Sequence, residues 1–196
     1  MKKIVISLIG MVGCGKTSAL KELAKRGYPV IEEGYMSSKI RFDNRLSISK
    51  WFWVANWFNV LYDYFNDHPE CHLVFTDRSA LEAGLWTPVC YPFKMPLETS
   101  FKELELMGYD FVNIYLFCDD ETLKSRIALR LNMEPHRKLF NEGDEAFIDE
   151  LNKSYKSLID SWSYIIDTSK ASPVKVCEMI IDIVDQITEK YDLVMA

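Results

Sequence analysis

Short apolar runs alternate along the chain with longer stretches in which apolar residues recur every three or four positions. Five runs read as strands: Ile4 to Ile9, Tyr28 to Ile31, Leu73 to Thr76, Phe111 to Phe117 and Tyr164 to Asp167. Each is apolar on both faces, as a strand covered from both sides requires. The 3.6-residue pattern predicts a first helix over Thr17 to Arg26, with Gly27 as its C-cap. A long second helix starts at a Ser47 or Ser49 cap and runs to about Asn66, where Asp67-His68-Pro69 stops it. Further helices are predicted near Thr99 to Met107, from an Asp119 or Asp120 cap to about Leu131, up to about Ile159, and after Ser172-Pro173, where proline suits a first turn. Trp86 to Pro96, rich in proline and aromatics, and the polar stretch Asn132 to Asp144 lie between these elements. Strands alternating with helices specify an α/β fold, a five-stranded parallel sheet between two helical layers. Ligands of such sheets collect at the carboxyl ends of the strands.

The first of those ends carries the most informative segment of the chain. Gly10-Met11-Val12-Gly13-Cys14-Gly15-Lys16-Thr17 fits G-x-x-x-x-G-K-[ST], the Walker A phosphate loop, with Ser18 next to it, between a predicted strand and a predicted helix. Its glycines let backbone N–H groups turn toward phosphate oxygens, and the helix N-terminus adds its positive end. Lys16 can reach the outer phosphates and the Thr17 hydroxyl can ligate Mg²⁺. The motif implies a nucleoside triphosphate ligand with Mg²⁺.

Composition narrows the class. The 196 residues suffice for one domain, 1–196, and the formal charge of −6 argues against a general nucleic-acid binder. Five cysteines, Cys14, Cys71, Cys90, Cys118 and Cys177, show neither a disulfide framework nor zinc spacing. Cys14 beside Lys16 reads as a passive loop residue. His68, His72 and His136 have no metal-ligand spacing. The first strand begins almost at Met1 and the longest apolar tract is too short to span a bilayer, so a cytoplasmic chain without membrane association is expected.

The other strand ends carry charge. Asp77 closes the third strand as a metal-holding carboxylate would, and Arg78 follows it as a phosphate or carboxylate partner. Glu33, with Glu32 as the competing choice, ends the second strand and can take a proton from a substrate hydroxyl. Arg126 and Arg130, four residues apart, share a helix face, and Arg137 and Lys138 lie just beyond, so residues 126–144 read as a basic lid over the transferring phosphates. Aromatic residues of the second helix surround too much of its circumference for one apolar stripe, and core packing accounts for most of them.

Together these segments resemble the P-loop deoxynucleoside kinases, with thymidylate kinases nearby, over nearly the whole chain. Val30-Ile31-Glu32-Glu33-Gly34 resembles the segment bearing that family's catalytic Glu, with Glu33 in its position and Gly34 where proline is usual. Asp77-Arg78-Ser79 is similar to the Glu-Arg-Ser of deoxynucleoside kinases and the Asp-Arg-aromatic of thymidylate kinases. The resemblance implies a three-layer P-loop NTPase fold with an Arg-bearing helical lid. It implies ATP-dependent phosphorylation of a deoxynucleoside, or alternatively of a nucleoside monophosphate. Lys16, Arg126 and Arg130 would stabilise the transferring group, and Thr168-Ser169 would pass the adenine. Trp53 and Trp57 would wall the base pocket, Asn56 would read the base edge, and the aromatic helices would mediate a homodimer. A reading from another class is a nucleotide-dependent regulatory ATPase or switch. Asn152-Lys153-Ser154-Tyr155 lacks the Asp of a guanine-reading segment, which counts against a GTPase.

Overall fold

The computed structural model describes residues 2–32, 47–85, 91–159 and 162–190. Five parallel strands, β1 (Lys3–Ile9), β2 (Val30–Ile31), β3 (Leu73–Asp77), β4 (Tyr109–Phe117) and β5 (Tyr164–Asp167), form one sheet in the order β2-β3-β1-β4-β5. The central strand is β1, and Ile4 through Ile9 are all buried. Its alternation divides the core between the two faces. Ile4, Ile6 and Leu8 pack with α1 (Lys16–Lys25) and α6 (Pro173–Lys190), and also meet residues of α4 (Asp120–Met133) and α5 (Glu145–Ser157). Val5 packs oppositely, with α2 (Ser47–Asp67) and α3 (Tyr91–Leu106). The expected three-layer P-loop architecture is therefore the one observed.

The helices follow the chemistry of their ends. Asp119 caps α4 by accepting from Thr122 N, and Asp144 caps α5 by accepting from Ala146 N and Phe147 N. Helix α1 is different. Its N-cap is Gly15, in the left-handed region, and no side chain caps its first turn. The N–H groups that a cap would satisfy stay available to a ligand.

Two predicted boundaries change. Helix α3 begins at Tyr91, eight residues before the expected Thr99, because Pro92 falls in the first turn, where its missing N–H costs nothing. Within the polar stretch before α5, Pro135–Phe140 form a 3₁₀ helix ended by Asn141 at φ 60°. A second 3₁₀ helix, Ala80–Gly84, follows β3. Among the described residues, no helix is long and apolar enough to cross a membrane.

On α2 the buried face is Lys50, Trp53, Val54, Trp57, Leu61 and Phe65, at helical spacing. Trp57 packs against Phe101 of α3 and Phe111 of β4, with ring centroids 6.0 and 6.3 Å away. Trp51, Phe52 and Tyr62 are exposed, which explains why the sequence shows no single apolar stripe.

Candidate active site

The register between β1 and β3 places Asp77 opposite Leu8, two residues before the loop begins at Gly10. The loop then curls back over the sheet edge. Gly10 has φ 137°, and a Cβ there would lie 2.2 Å from the Leu116 carbonyl oxygen of β4, so no other residue fits. Gly13, at φ 80°, lies under α4, and an added Cβ would stand 3.3 Å from Ile127 and 3.6 Å from Arg126. The Lys16 ammonium donates to the carbonyls of Gly10 and Met11 at 2.7 and 2.9 Å, spanning the loop it must leave to meet a phosphate. Met11, Val12 and Cys14 are buried and anchor the loop in the core. Burial pushes the Cys14 thiol pKa up despite the nearby Lys16, as suits a packing residue.

Thr17 donates from Oγ1 to Asp77 Oδ2 at 2.9 Å. Asp77 is buried, and its Oδ1 has no hydrogen-bond partner among the described residues. A hydroxyl beside a carboxylate with one orphaned oxygen offers hard oxygen donors, the set that suits Mg²⁺. The residues present fit that ion.

Arg78 continues the ladder through its N–H to Leu8 O at 3.0 Å, then turns into the left-handed region at φ 75°, uncommon for a residue with a side chain. Its carbonyl accepts from Trp57 Nε1 at 3.2 Å and from Thr76 Oγ1 at 2.8 Å, so α2 and β3 hold the flipped peptide. Its guanidinium is paired with Glu82 at 3.4 Å. Glu82 is fully buried, and sequence reasoning missed it. The available signal was the Ser79-x-x-Glu82 capping box, which the structure forms around the 3₁₀ helix Ala80–Gly84.

Beside Asp77 opens a cleft of about 350 Å³, including open solvent, lined by Ile31, Glu32, Trp53, Asn56, Trp57, Val60, Leu61, Thr76 and Asp77. Trp53 and Trp57, expected to wall the base pocket, and Asn56, expected to read the base edge, thus line one cleft with a strand-end carboxylate. Of the two candidate bases, Glu32 lines this cleft, and Glu33 lies outside the described residues. Lys50, one turn before Trp53, is buried. Desolvation and then the Arg78 charge bring its ammonium pKa down to about 8.

The arginines expected in a lid part company. Arg126 donates to the Thr168 hydroxyl and carbonyl at 3.1 and 2.8 Å, while Arg130 lies 3.8 Å from Glu134. Arg137 is paired with Glu134 and, at 3.1 Å, with Glu142. Thr168 is buried, and its hydroxyl donates toward the carbonyls of Cys14 and Phe117 at 2.9 and 3.0 Å. It supports the phosphate loop from below. Ser169 Oγ accepts from Asp119 N at 2.9 Å and so ties β5 to the start of α4.

The fold and loop define a P-loop protein. A family model described as an AAA domain matches residues 6–150, and the chain belongs to that family. Its fold is similar to that of deoxyadenosine kinase from M. mycoides with bound dATP, with a TM-score of 0.60 and 18% identity over 92% of this chain and 99% of that one. It is also similar to thymidylate kinase from Candida albicans, with a TM-score of 0.64 and 12% identity over 95% and 93% of the two chains. The YorR protein of Bacillus subtilis, solved with phosphorylated GDP, matches with a TM-score of 0.53 and 17% identity over 95% and 98%. No curated protein sequence matches the chain significantly. Nucleoside and nucleotide kinases share this architecture.

Proposed function

We propose that the protein transfers the terminal phosphoryl group of ATP to a sugar hydroxyl of a deoxynucleoside. The observation that carries this reading is the junction at Asp77, which accepts from Thr17 of the phosphate loop and also lines the Trp53-Asn56-Trp57 cleft. A triphosphate at the loop and a base in the cleft would bring donor and acceptor to the same carboxylate. Asn56 offers both a donor and an acceptor to a base edge, between aromatic walls suited to a planar ring.

Transfer forms an acceptor O–P bond, breaks the bond between the terminal phosphorus and its bridging oxygen, and passes the hydroxyl proton to a base. Glu33 takes that role in this reading, with Glu32 as the alternative. Lys16 leaves the Gly10 and Met11 carbonyls to neutralise the outer phosphates. In this reading Arg78 would serve the acceptor side, and Arg126 and Arg130, released from Thr168 and Glu134, would supply further positive charge. Thr17 and Asp77 would hold Mg²⁺, which neutralises phosphate charge when bound. Thr168, which bonds Cys14 of the loop, and Ser169 follow β5, where adenine would pass in this reading.

A second reading, phosphorylation of a nucleoside monophosphate, is favoured by the buried Lys50 close to Arg78. The Arg78 charge acts on the Lys50 ammonium, and a second cation near Arg78 would suit an acceptor that brings its own phosphate.

A phosphotransfer screen with Mg-ATP over nucleosides, deoxynucleosides and monophosphates separates the readings. Deoxynucleoside turnover supports the first and monophosphate turnover the second. ATP hydrolysis that responds only to a protein partner, with no acceptor phosphorylated, would replace both with a regulatory ATPase. In parallel, Glu33→Gln should depress turnover about 10²-fold with ATP binding nearly intact. Near-normal turnover there, with loss in Glu32→Gln, moves the base to Glu32.

A further inference from the structure

Glu82 sits where the two halves of the site meet, and no contact with substrate is open to it because it is completely buried. Its Oε1 accepts from Gly10 N at 3.2 Å, the first residue of the phosphate loop, and from Arg78 Nη1 at 3.4 Å. The Tyr155 hydroxyl of α5 donates to the same oxygen, and Ser79 N donates to Oε2 at 3.2 Å. One carboxylate thereby ties the loop, the strained turn after β3 and the helix that follows the lid. Burial raises its pKa, while the charges of Arg78 and Lys16 oppose that rise.

We propose that Glu82 is a positioning residue that sets the phosphate loop through Gly10 and aims Arg78 at the acceptor. An uncharged carboxamide cannot replace it. Glutamine must turn its NH₂ either toward the three donors on Oε1 or toward Ser79 N–H, which leaves donors facing a donor. The loop and the arginine then lose a common anchor while the surrounding apolar core keeps its volume.

The turnover part of this inference rests on the phosphotransfer reading; the nucleotide-binding part does not. The test is a double-mutant cycle on the full chain with Glu82→Gln, Arg78→Ala and both. Mg²⁺ and a fluorescent N-methylanthraniloyl ATP analogue serve as the binding probe, and the acceptor found in the screen serves for turnover. Glu82→Gln is expected to weaken the analogue about threefold in either background, because Gly10 is held directly. Turnover is expected to fall about tenfold in the wild-type background and by less than about twofold when Arg78 is already alanine. Equal turnover losses in both backgrounds, or unchanged analogue affinity, overturn the proposal. Should Glu82→Gln fail to fold, Tyr155→Phe takes its place, deleting one donor to the same oxygen while keeping the ring. A turnover loss of about threefold that vanishes in Arg78→Ala supports the proposal, and the same loss in both backgrounds overturns it. If the wild type phosphorylates no acceptor, the phosphotransfer reading fails, and the analogue titration alone decides the role of Glu82.

Discussion

The phosphate loop and the cleft beside it are built in opposite ways. The loop is one continuous segment, Gly10 to Thr17, whose shape comes from glycine at positive φ and from Lys16 bonding its own neighbours. The cleft draws Glu32 from the end of β2, Trp53, Asn56 and Trp57 from α2, and Asp77 from β3, residues spread between positions 32 and 77. Local backbone chemistry shapes the first, with Glu82 and Thr168 as distant anchors; packing alone assembles the second. A loop made locally tolerates almost no change in its own residues, whereas an assembled cleft depends on the contacts that bring its parts together.

The sharpest way to break this comparison is Gly10→Ala. With a Cβ forced to 2.2 Å from the Leu116 oxygen at φ 137°, the loop must move or the strand must yield. A loss of about 3 kcal/mol or more in chemical denaturation is expected, with triphosphate binding lost alongside it. A near-wild-type denaturation midpoint would show that the loop adapts as the cleft does.

Next in size is Lys50→Met. The pKa of Lys50 falls from 10.5 to about 8 on folding, so the neutral form is favoured in the folded state. Its stabilising contribution is present above pH 10.5 and is lost as pH falls through 8. Wild-type stability should therefore rise by about 2–3 kcal/mol from Lys50 alone between pH 8 and 10.5. Replacing it with methionine should flatten that rise and raise the melting temperature at pH 7. An unchanged pH slope would mean that the cleft side bears no such strain.

The smallest effect expected is that of Trp57→Phe. It keeps an aromatic wall in the cleft but removes the Nε1 donor to the Arg78 carbonyl, which still accepts from Thr76. About 1 kcal/mol of stability should be lost, with a larger proportional loss in acceptor KM than in ATP affinity. Equal losses in both would indicate that the two regions respond as one unit.

The architecture was legible because strand ends, caps and turns are local statements. The capping Asp119, the Gly27 turn and β5 at Tyr164–Asp167 all lie where the pattern puts them. The phosphate loop was legible for the same reason. The start of α3 was not, because a proline in a first turn reads like a loop residue. Arg126 and Arg130 share a helix face at four-residue spacing, yet the Thr168 loop captures one and Glu134 the other. Spacing says which side chains are neighbours on a helix, not which partner outside it reaches them first. Glu82 hid for a related reason: a capping-box glutamate looks like a local cap until Gly10 and Tyr155 arrive from distant segments.

By itself the sequence determined the order of strands and helices, the glycine-rich loop after β1 and the residue types at the strand ends, since each follows from contiguous hydrophobic and glycine patterns. Only the tertiary structure decided that Asp77 meets Thr17, that Trp53, Asn56 and Trp57 share a cleft with it, and that Glu82 binds Gly10 and Arg78 together. Those contacts join residues as many as 72 positions apart, and sheet register and core packing, not chain proximity, bring them within hydrogen-bond reach.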